Sequence, residues 1–369
     1  MLLMKHCARC GACFDSRRRI NSTVGLLPYL VMQFIQLLFK CRIEQLARAV
    51  LGVLVIGGFL SVSIAILHAQ SPPLPPGQLI DIGGRRLHVN CTGVGTPTVV
   101  VENGSGGFSI DWALVQPAIS MFTRICTYDR AGYAWSDRGS IRDLPEQAIA
   151  DLQLMLRVAK IHPPYILVGQ SIGGILVRDY QRRFPEQVAG MVLVDPTHDE
   201  GLAYIIDGKP KTISLVTRDE LEKFMRDLLA HPPAPPPMPT KLSAPFDRLP
   251  ASLQPVRLWA EAQYFADRNV NRTPFIGEAQ RQEFIALRSQ RLAQAHPLGS
   301  LPLIVLTNGI NKQKAELATL SKTGTLVVAE NSCHEIQLCS PQLVVRAIRN
   351  VVVRVRQMRS AKRLVNRKT

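Results

Sequence analysis

The chain has 369 residues, of which 46% are hydrophobic, so it can bury a large core, and no internal repeat is evident. Its formal net charge of +16 is concentrated at the two ends. Residues 1–48 carry eight Lys/Arg and two acidic residues, and residues 346–369 carry nine Lys/Arg and no acid, so the remainder is nearly neutral. Because no nucleic-acid motif accompanies the basic ends, no nucleic-acid partner is expected.

The first strong feature along the chain is an uncharged apolar run over residues 49–67, which is long enough to span a bilayer. The basic, Cys-containing segment 1–48 precedes it. This pattern predicts a transmembrane anchor with a cytoplasmic N-terminus and the rest of the chain on the exported side. The alternative is a cleaved signal segment and a secreted or periplasmic protein. A Pro-rich linker, residues 68–77, follows in either case.

Strand-like and helix-like segments then alternate between residues 78 and 358, as expected of one α/β domain. The predicted elements include a hairpin over 79–89, strands over 99–101, 125–128 and 165–168, and a last helix over 342–356. Such alternation implies a mostly parallel sheet with helices on both faces. Between 199 and 300 the alternation stops, and two amphipathic helical segments, 219–229 and 277–295, flank a Pro-rich stretch.

The pentapeptide Gly169-Gln170-Ser171-Ile172-Gly173 lies between the strand 165–168 and a helical stretch that begins near Gly174. Glycines on both sides of a serine at a strand-to-helix junction predict a sharp elbow, which would present the hydroxyl of Ser171 as a nucleophile. The alternative is a Gly/Ser loop that only turns a strand into a helix.

An acid and a base follow the serine at the ends of later strands. Asp195 follows the apolar run 191–194, and His334 follows the last strand, 325–329. With Ser, Asp and His in this order, residues 78–358 resemble the α/β-hydrolase family in its serine esterase, lipase and peptidase branch. Further segments that carry the resemblance are 99–107, 128–136 and 334–338.

The resemblance implies an α/β-hydrolase fold with a helical cap, residues 199–300, inserted after the sixth strand. A cap of this kind excludes water and shapes the substrate pocket. The resemblance also implies a triad in which Ser171 attacks a carbonyl carbon, His334 takes the serine proton and Asp195 orients the imidazole.

Backbone N–H groups are expected to bind the negative oxygen that develops on the substrate. The resemblance assigns this oxyanion hole to the N–H of Ile172 and the N–H of Ser105, with Gly104 as the fallback. Relatives usually carry His-Gly where this chain has Asn103-Gly104. The loop is therefore expected to lack a bracing side chain.

Asp195 is chosen as the acid because the loop after the seventh strand, 303–306, offers no nearby carboxylate. A turn or helix N-cap is its alternative role. His198 is the rival base and is expected to line the entrance. Glu102 is expected to form a structural ion pair with Arg130 rather than to act in catalysis.

The eight cysteines divide equally around the apolar run. Cys7, Cys10 and Cys13 resemble part of a metal-ligand set, but a nearby fourth cysteine is missing, and the hydrolase chemistry requires no metal. The cysteines after the run are Cys91, Cys126, Cys333 and Cys339. If the domain is exported they could pair in any of three ways, one of which brackets His334; in the cytosol they would be small core residues.

The sequence thus predicts a serine hydrolase that cleaves a carboxylic ester, or an amide, of a small-molecule acyl substrate without a cofactor. The same triad could serve an acyltransferase, a thioesterase, a proline-type aminopeptidase or a cofactor-free peroxidase, and the fold could serve as a non-catalytic ligand-binding module. A membrane is the expected partner of the segment 49–67. The basic end of the chain, whose last part is the tail 359–369, is interpreted as a solvated helix end followed by a disordered terminus, with anionic lipid or nucleic acid as the alternative partner.

Overall fold

A computed structural model describes residues 72–139, 145–231, 237, 239–271 and 277–366. The strands are β1 (Gln78–Asp81), β2 (Arg86–Thr92), β3 (Thr98–Glu102), β4 (Ile125–Tyr128), β5 (Tyr165–Gln170), β6 (Val188–Val194), β7 (Ala203–Ile206), β8 (Lys209–Thr212), β9 (Leu303–Thr307) and β10 (Thr325–Val328). The helices are α1 (Gln116–Ser120), α2 (Pro145–Val158), α3 (Gly173–Arg183), α4 (Arg218–Ala230), α5 (Gln254–Asn271), α6 (Glu278–Ala293), α7 (Lys312–Ala318), α8 (Ile336–Cys339) and α9 (Pro341–Asn366).

Eight strands form the central sheet in the order β1-β2-β4-β3-β5-β6-β9-β10. The predicted hairpin is β1 and β2, which pair antiparallel, and β2 also pairs antiparallel with β4. The remaining neighbours in the sheet pair in parallel. The prediction of a mostly parallel sheet is confirmed.

Two apolar cores lie on the opposite faces of the sheet. Successive strand residues point to opposite faces, so Leu167 enters the core that contains Leu152 of α2 and Tyr180 of α3. Its neighbour Val168 enters the other core, which contains Ile348 of α9. Every residue of β3, β5 and β9 is buried, which explains why these strands are nearly continuous apolar runs rather than alternating ones.

The cap lies between β6 and β9 and contains two predicted helices, α4 and α6, together with α5. It also contains a small antiparallel hairpin, β7 and β8, which the sequence analysis did not predict. The turn of this hairpin is Asp207-Gly208, with φ angles of +48° and +77°. Positive φ at both central residues is the geometry that an Asp-Gly pair favours in hairpins, so the signal was present in the sequence.

The last helix is longer than predicted, because α9 continues past 356 to Asn366. Its last buried hydrophobic residue is Val355. The basic residues that follow therefore belong to an exposed helix end, in agreement with the interpretation of the basic end as a solvated helix end, and disorder of the terminus stays a prediction.

The predicted membrane segment 49–67 and the cluster Cys7, Cys10 and Cys13 lie outside the described residues, and the boundaries of the N-terminal segments stay predictions. Among the helices that the structure describes, none combines the length and the apolar content needed to cross a bilayer.

A buried acid, Glu283 of α6, lies where the cap packs against the main domain and is 5% exposed. Within the described ranges, neither of its carboxyl oxygens has a hydrogen-bond partner. Burial raises the pKa of Glu283 well above its ordinary value of 4.5, and the charge of Asp179 raises it further, while the arginines of α3 only partly offset both. Glu283 is therefore a group that the folded state prefers to keep neutral.

We expect Glu283→Gln to stabilise the protein, by about 1 kcal/mol or more at neutral pH, and to do so increasingly as the pH rises above 4.5. Because folding raises the pKa, the contribution of this carboxyl to stability is complete below the unfolded-state pKa and is lost as the pH rises towards the folded-state value. The amide stays neutral throughout. Urea unfolding at about pH 5 and about pH 8 measures the difference. Exposed Glu186→Gln is the control, and a gain that does not grow with pH would contradict the prediction.

Candidate active site

Ser171 lies at the tip of a tight turn between β5 and α3. Its φ angle is +53°, in the left-handed region that a residue with a side chain adopts only when its surroundings hold it there. The N–H of Ser171 donates to the carbonyl oxygen of Val194 at 3.1 Å, and the N–H of Thr197 donates to the carbonyl oxygen of Ser171 at 2.9 Å. The end of β6 therefore holds the turn in the geometry expected of a nucleophile elbow.

The glycines at the elbow are required by close approach of backbone to backbone. A Cβ on Gly169 would lie 2.5 Å from the carbonyl oxygen of Gly173. A Cβ on Gly173 would lie 2.5 Å from the carbonyl oxygen of Glu102, and one on Gly104 would lie 3.1 Å from the Cβ of Ser171. The loop after β3 therefore packs directly against the elbow.

Asp195 and His334 are hydrogen-bonded, with 2.5 Å between Oδ2 of Asp195 and Nδ1 of His334. Asp195 follows β6 directly, has a φ angle of +40° and is 3% exposed. His334 lies between β10 and α8, and its side chain is 44% exposed. Because Nδ1 makes this bond, Nε2 is the ring nitrogen that can act on another group.

The two members of this pair shift each other's pKa. The hydrogen bond that His334 donates to Asp195 is the main cause of a raised pKa at His334, and burial and the charge of Lys314 oppose it. Burial alone would raise the pKa of Asp195, but the hydrogen bond with His334 and the charge of Lys314 outweigh burial and lower that pKa. The site therefore favours an ionised carboxylate beside an imidazole that is more basic than usual.

The loop after β3 is braced by the side chain of Asn103. Its Oδ1 accepts a hydrogen bond from Nε1 of Trp112 at 2.7 Å, and its Nδ2 donates to the carbonyl oxygen of Tyr128 at 3.2 Å. The expectation that an Asn in place of His leaves this loop without a bracing side chain is wrong, because the amide supplies both a donor and an acceptor.

Arg130 fixes the same loop from the other side. Its Nη1 donates to Oε1 of Glu102 at 2.5 Å and to the carbonyl oxygen of Asn103 at 2.7 Å, and its Nη2 donates to the carbonyl oxygen of Gly104 at 2.7 Å. Tyr128 also donates to Glu102 through its hydroxyl. The predicted structural ion pair between Glu102 and Arg130 is confirmed.

The cap helix α5 contacts this loop through two polar side chains. Nε of Arg257 donates to Oδ1 of Asp111 at 2.8 Å, and its Nη2 donates to the carbonyl oxygen of Gly106 at 3.3 Å. The hydroxyl of Tyr264 lies 3.4 Å from Oγ of Ser105. Arg257 is buried, so this contact between cap and loop is shielded from water.

Apolar side chains of the cap cover both sides of the elbow. On one side, Ile172 packs into a cluster with Tyr204 and Phe284. On the other side, Phe108 packs into a cluster with Tyr264. The surroundings of Ser171 are therefore largely apolar and aromatic, as is typical of a small-molecule site.

His198 does not lie at the entrance, which corrects the expectation from sequence. It is 2% exposed, and burial lowers its pKa. The reason is a buried ion-pair network beneath the cap, in which Asp199 pairs with Arg178 and Arg291, and Nε2 of His198 lies 3.9 Å from Oδ1 of Asp199. Nowhere in the described ranges do three or more His, Cys, Asp or Glu side chains converge as metal ligands would.

The structure selects one of the three cysteine pairings that the sequence left open. Cys91 and Cys126 form a disulfide between β2 and β4, at positions that are directly paired in the sheet. Cys333 and Cys339 form the second disulfide, which encloses His334 in a short loop.

A serine at a strand-to-helix elbow and an Asp–His pair after later strands are typical of one protein family. The sequence profile of the alpha/beta hydrolase fold matches residues 97–341, about two thirds of the chain. The chain belongs to the alpha/beta hydrolase fold family.

Individual relatives of this α/β-hydrolase match over shorter segments. The chain is 32% identical over 165 residues to "Probable transporter efuK" of Hormonema carpetanum, covering 40% of the chain and 24% of that relative. It is 33% identical over 105 residues to the (lyso)-N-acylphosphatidylethanolamine lipase of Mus musculus, covering 27% and 30%. The chain therefore spans less than a third of the length of these curated relatives.

A solved structure, a thermophilic esterase from Thermogutta terrifontis, has a similar fold. The TM-score is 0.51 at 17% identity, and the match covers 73% of the chain and 94% of the esterase. At this identity the likeness shows the fold alone.

Sequence analysis of this α/β-hydrolase missed two residues at the site, Lys314 and Arg257. Nζ of Lys314 donates to Oδ1 of Asp195 at 3.1 Å across 119 residues of sequence, and Arg257 reaches Asp111 across 146 residues. No local spacing could reveal such contacts. The one available signal was general, namely that a buried carboxylate requires a charged or hydrogen-bonding partner.

We expect Gly173→Ala to destabilise the protein by about 2 kcal/mol, because the new methyl group would meet the carbonyl oxygens of Glu102 and Asn103, which belong to backbone and cannot move aside cheaply. Urea unfolding of the full-length protein measures the change. Gly277→Ala is the matched control, since a Cβ there has nothing within 4 Å and the backbone is extended at φ −148°. Equal stability of the two variants would show that the elbow tolerates a side chain at 173.

Proposed function

We propose that this α/β-hydrolase is a serine hydrolase that cleaves a carboxylic ester, or an amide, through an acyl-enzyme. Ser171 is the nucleophile, His334 the general base and Asp195 the acid that orients it. The observation that carries the proposal is the 2.5 Å hydrogen bond that Nδ1 of His334 donates to the buried carboxylate of Asp195, in a chain whose serine lies on a strained strand-to-helix elbow. That bond fixes the tautomer in which Nε2 can accept a proton.

The reaction has two halves in this proposal. Nε2 of His334 takes the proton of Ser171 as Oγ attacks the carbonyl carbon, and the imidazolium then gives that proton to the leaving alcohol or amine. Water enters and attacks the acyl carbon as His334 takes its proton. The bond from that carbon to Oγ then breaks, the imidazolium returns the proton to Oγ of Ser171, and the carboxylic acid leaves. Asp195 stays ionised throughout and stabilises the imidazolium, in keeping with the raised pKa of His334.

The negative oxygen of each tetrahedral intermediate is bound by backbone N–H groups in this proposal. Within the described residues, the N–H groups of Ile172, Ser105 and Gly104 donate to no protein acceptor. Ile172 follows the nucleophile, and Arg130 and Asn103 hold the loop that carries the other two. Loss of one such donor typically costs about 3 kcal/mol of transition-state stabilisation.

The substrate class that we propose is a small molecule with an apolar acyl group. The apolar clusters that contain Ile172 and Phe108 support it, because contact with apolar side chains stabilises a hydrocarbon chain by about 25 cal/mol per Å² of apolar surface removed from water. Among the similar proteins, the name of the mouse lipase agrees with ester cleavage. An ester is therefore preferred to an amide.

We expect a fluorophosphonate probe to label the full-length protein and to fail on Ser171→Ala, because the probe traps an activated serine. Asp195→Asn should lower turnover of p-nitrophenyl esters by about 10⁴-fold, because the amide cannot hold the imidazole in the reactive tautomer. Ser300→Ala and Asp227→Asn, both at exposed positions, are the controls and should behave as wild type. An unlabelled but folded wild-type protein would overturn the proposed function.

We also propose that the catalytic domain lies on the exported side of a membrane, with the segment 49–67 as its anchor or as a cleaved signal. The two disulfides support this, since disulfides persist in oxidising compartments and are rare in the cytosol. The test uses intact spheroplasts, whose inner membrane is sealed, that express the full-length chain. Added protease should degrade the domain and spare a cytosolic marker. Protection of the domain together with the marker would contradict the proposed location.

A further inference from the structure

Lys314, in the first turn of α7, contacts the acid of the proposed triad on the side away from His334. Its Nζ donates to Oδ1 of Asp195 at 3.1 Å and to the carbonyl oxygen of Pro196 at 2.5 Å. The Lys314 side chain is 16% exposed. The two oxygens of Asp195 therefore have separate partners, His334 on Oδ2 and Lys314 on Oδ1.

The other donors to Oδ1 are longer and uncharged. The N–H of Asn308 lies 3.3 Å away and the hydroxyl of Thr307 lies 3.4 Å away, and that hydroxyl also donates to the carbonyl oxygen of Gly309 at 2.5 Å. All three donors meet the same carboxylate, but the donor of Lys314 alone among them is charged, so its hydrogen bond is also an ion pair. Lys314 is therefore the main partner of Oδ1.

The backbone holds Lys314 in place for this contact. Asn311 caps α7, and its Oδ1 accepts a hydrogen bond from the N–H of Lys314 at 2.8 Å. The cap fixes the start of the helix, and the carbonyl oxygen of Pro196 fixes the far end of the side chain. A lysine held at both ends loses less entropy when it binds a carboxylate than a freely rotating one.

We propose that Lys314 is a positioning residue, which keeps Asp195 ionised and aims its Oδ2 at His334. This rests on the proposed function. The acid follows β6, and the following helix α7 supplies a cation to it rather than an acid of its own. Lys314 has a second effect, because its positive charge opposes protonation of the imidazole and so limits how far Asp195 raises the pKa of His334.

The test follows the protonation of His334 directly. In the full-length protein, an NMR titration of the imidazole, assigned with His334→Gln, reports its pKa in wild type, Lys314→Met and Lys314→Arg. We expect the pKa to move to higher pH in Lys314→Met, because a cation that opposes protonation is lost, and to return towards wild type in Lys314→Arg, which restores the charge. The acidic limb of kcat/KM should move in the same direction, and kcat should fall about tenfold.

Lys312→Met is the matched control. It removes the same charge from the same helix turn, but Lys312 is 91% exposed and the distance from its Nζ to Oε1 of Glu316 is long, at 3.9 Å. A pKa of His334 and a kcat that both stay at the wild-type values in folded Lys314→Met would overturn the proposal, as would equal changes in Lys312→Met.

Failure of the two proposals can be told apart. The titration needs no turnover, so it tests the contact between Lys314, Asp195 and His334 even in an inactive protein, whereas fluorophosphonate labelling of Ser171 tests the hydrolase. If Lys314→Met does not fold, Lys314→Gln serves in its place, because it keeps a donor without the charge and should give the same upward shift.

Discussion

The site is organised by one constraint, a carboxylate buried at the carboxyl end of β6. Burial alone would drive Asp195 to take up a proton. His334 and Lys314 prevent this from opposite sides, and they come from different segments that follow β10 and β9. The sheet order places β9 between β6 and β10, so the carboxyl ends of these parallel strands converge at one edge. The fold brings these strand ends together, and the buried charge of Asp195 requires charged or hydrogen-bonding partners there.

Buried carboxylates also require charged partners where the cap is attached to the main domain. Asp111 of the main domain pairs with Arg257 of the cap. Asp199, the first residue of the cap, pairs with Arg178 of the main domain and with Arg291 of the cap. Each buried carboxylate is therefore matched by a cation across the junction. Burial raises the pKa of Asp111 to about 6 even with its partner in place. Breaking such a pair by removing one partner typically costs about 3–5 kcal/mol, because the other charge stays buried. These directional pairs therefore help to fix the orientation of the cap, together with the apolar clusters that join it to the main domain.

Glu283 departs from this pattern, since neither of its oxygens finds a hydrogen-bond partner in the described part of the chain. A buried carboxyl without a partner is tolerated only in its neutral form. The free energy of folding therefore depends on pH at the junction of cap and main domain, because folding favours the neutral form of Glu283. At Asp195 the dependence has the opposite sign, because folding favours the ionised form.

Local patterns in the sequence were sufficient for the sheet and for the elbow. The buried strands β3, β5 and β9 are apolar throughout, and the glycines around Ser171 mark a turn that only small residues fit. The hairpin of the cap was missed although Asp207-Gly208 marks its turn, because the surrounding strands are short and mostly exposed. Lys314 and Arg257 were missed for a different reason, since their partners are distant in sequence and no periodicity connects them.

The position of Lys314 also explains why Glu316, the first carboxylate after β9, is not the acid beside His334. Residues two apart on a helix are separated by about 200° of rotation, so they face different sides. Lys314 faces Asp195. Glu316 consequently faces the buried network, where its Oε2 lies 3.3 Å from Nη1 of Arg291 and 3.4 Å from Nε2 of His198. With α7 in this register, a carboxylate at 316 cannot reach His334, and the acid has to come from the end of β6.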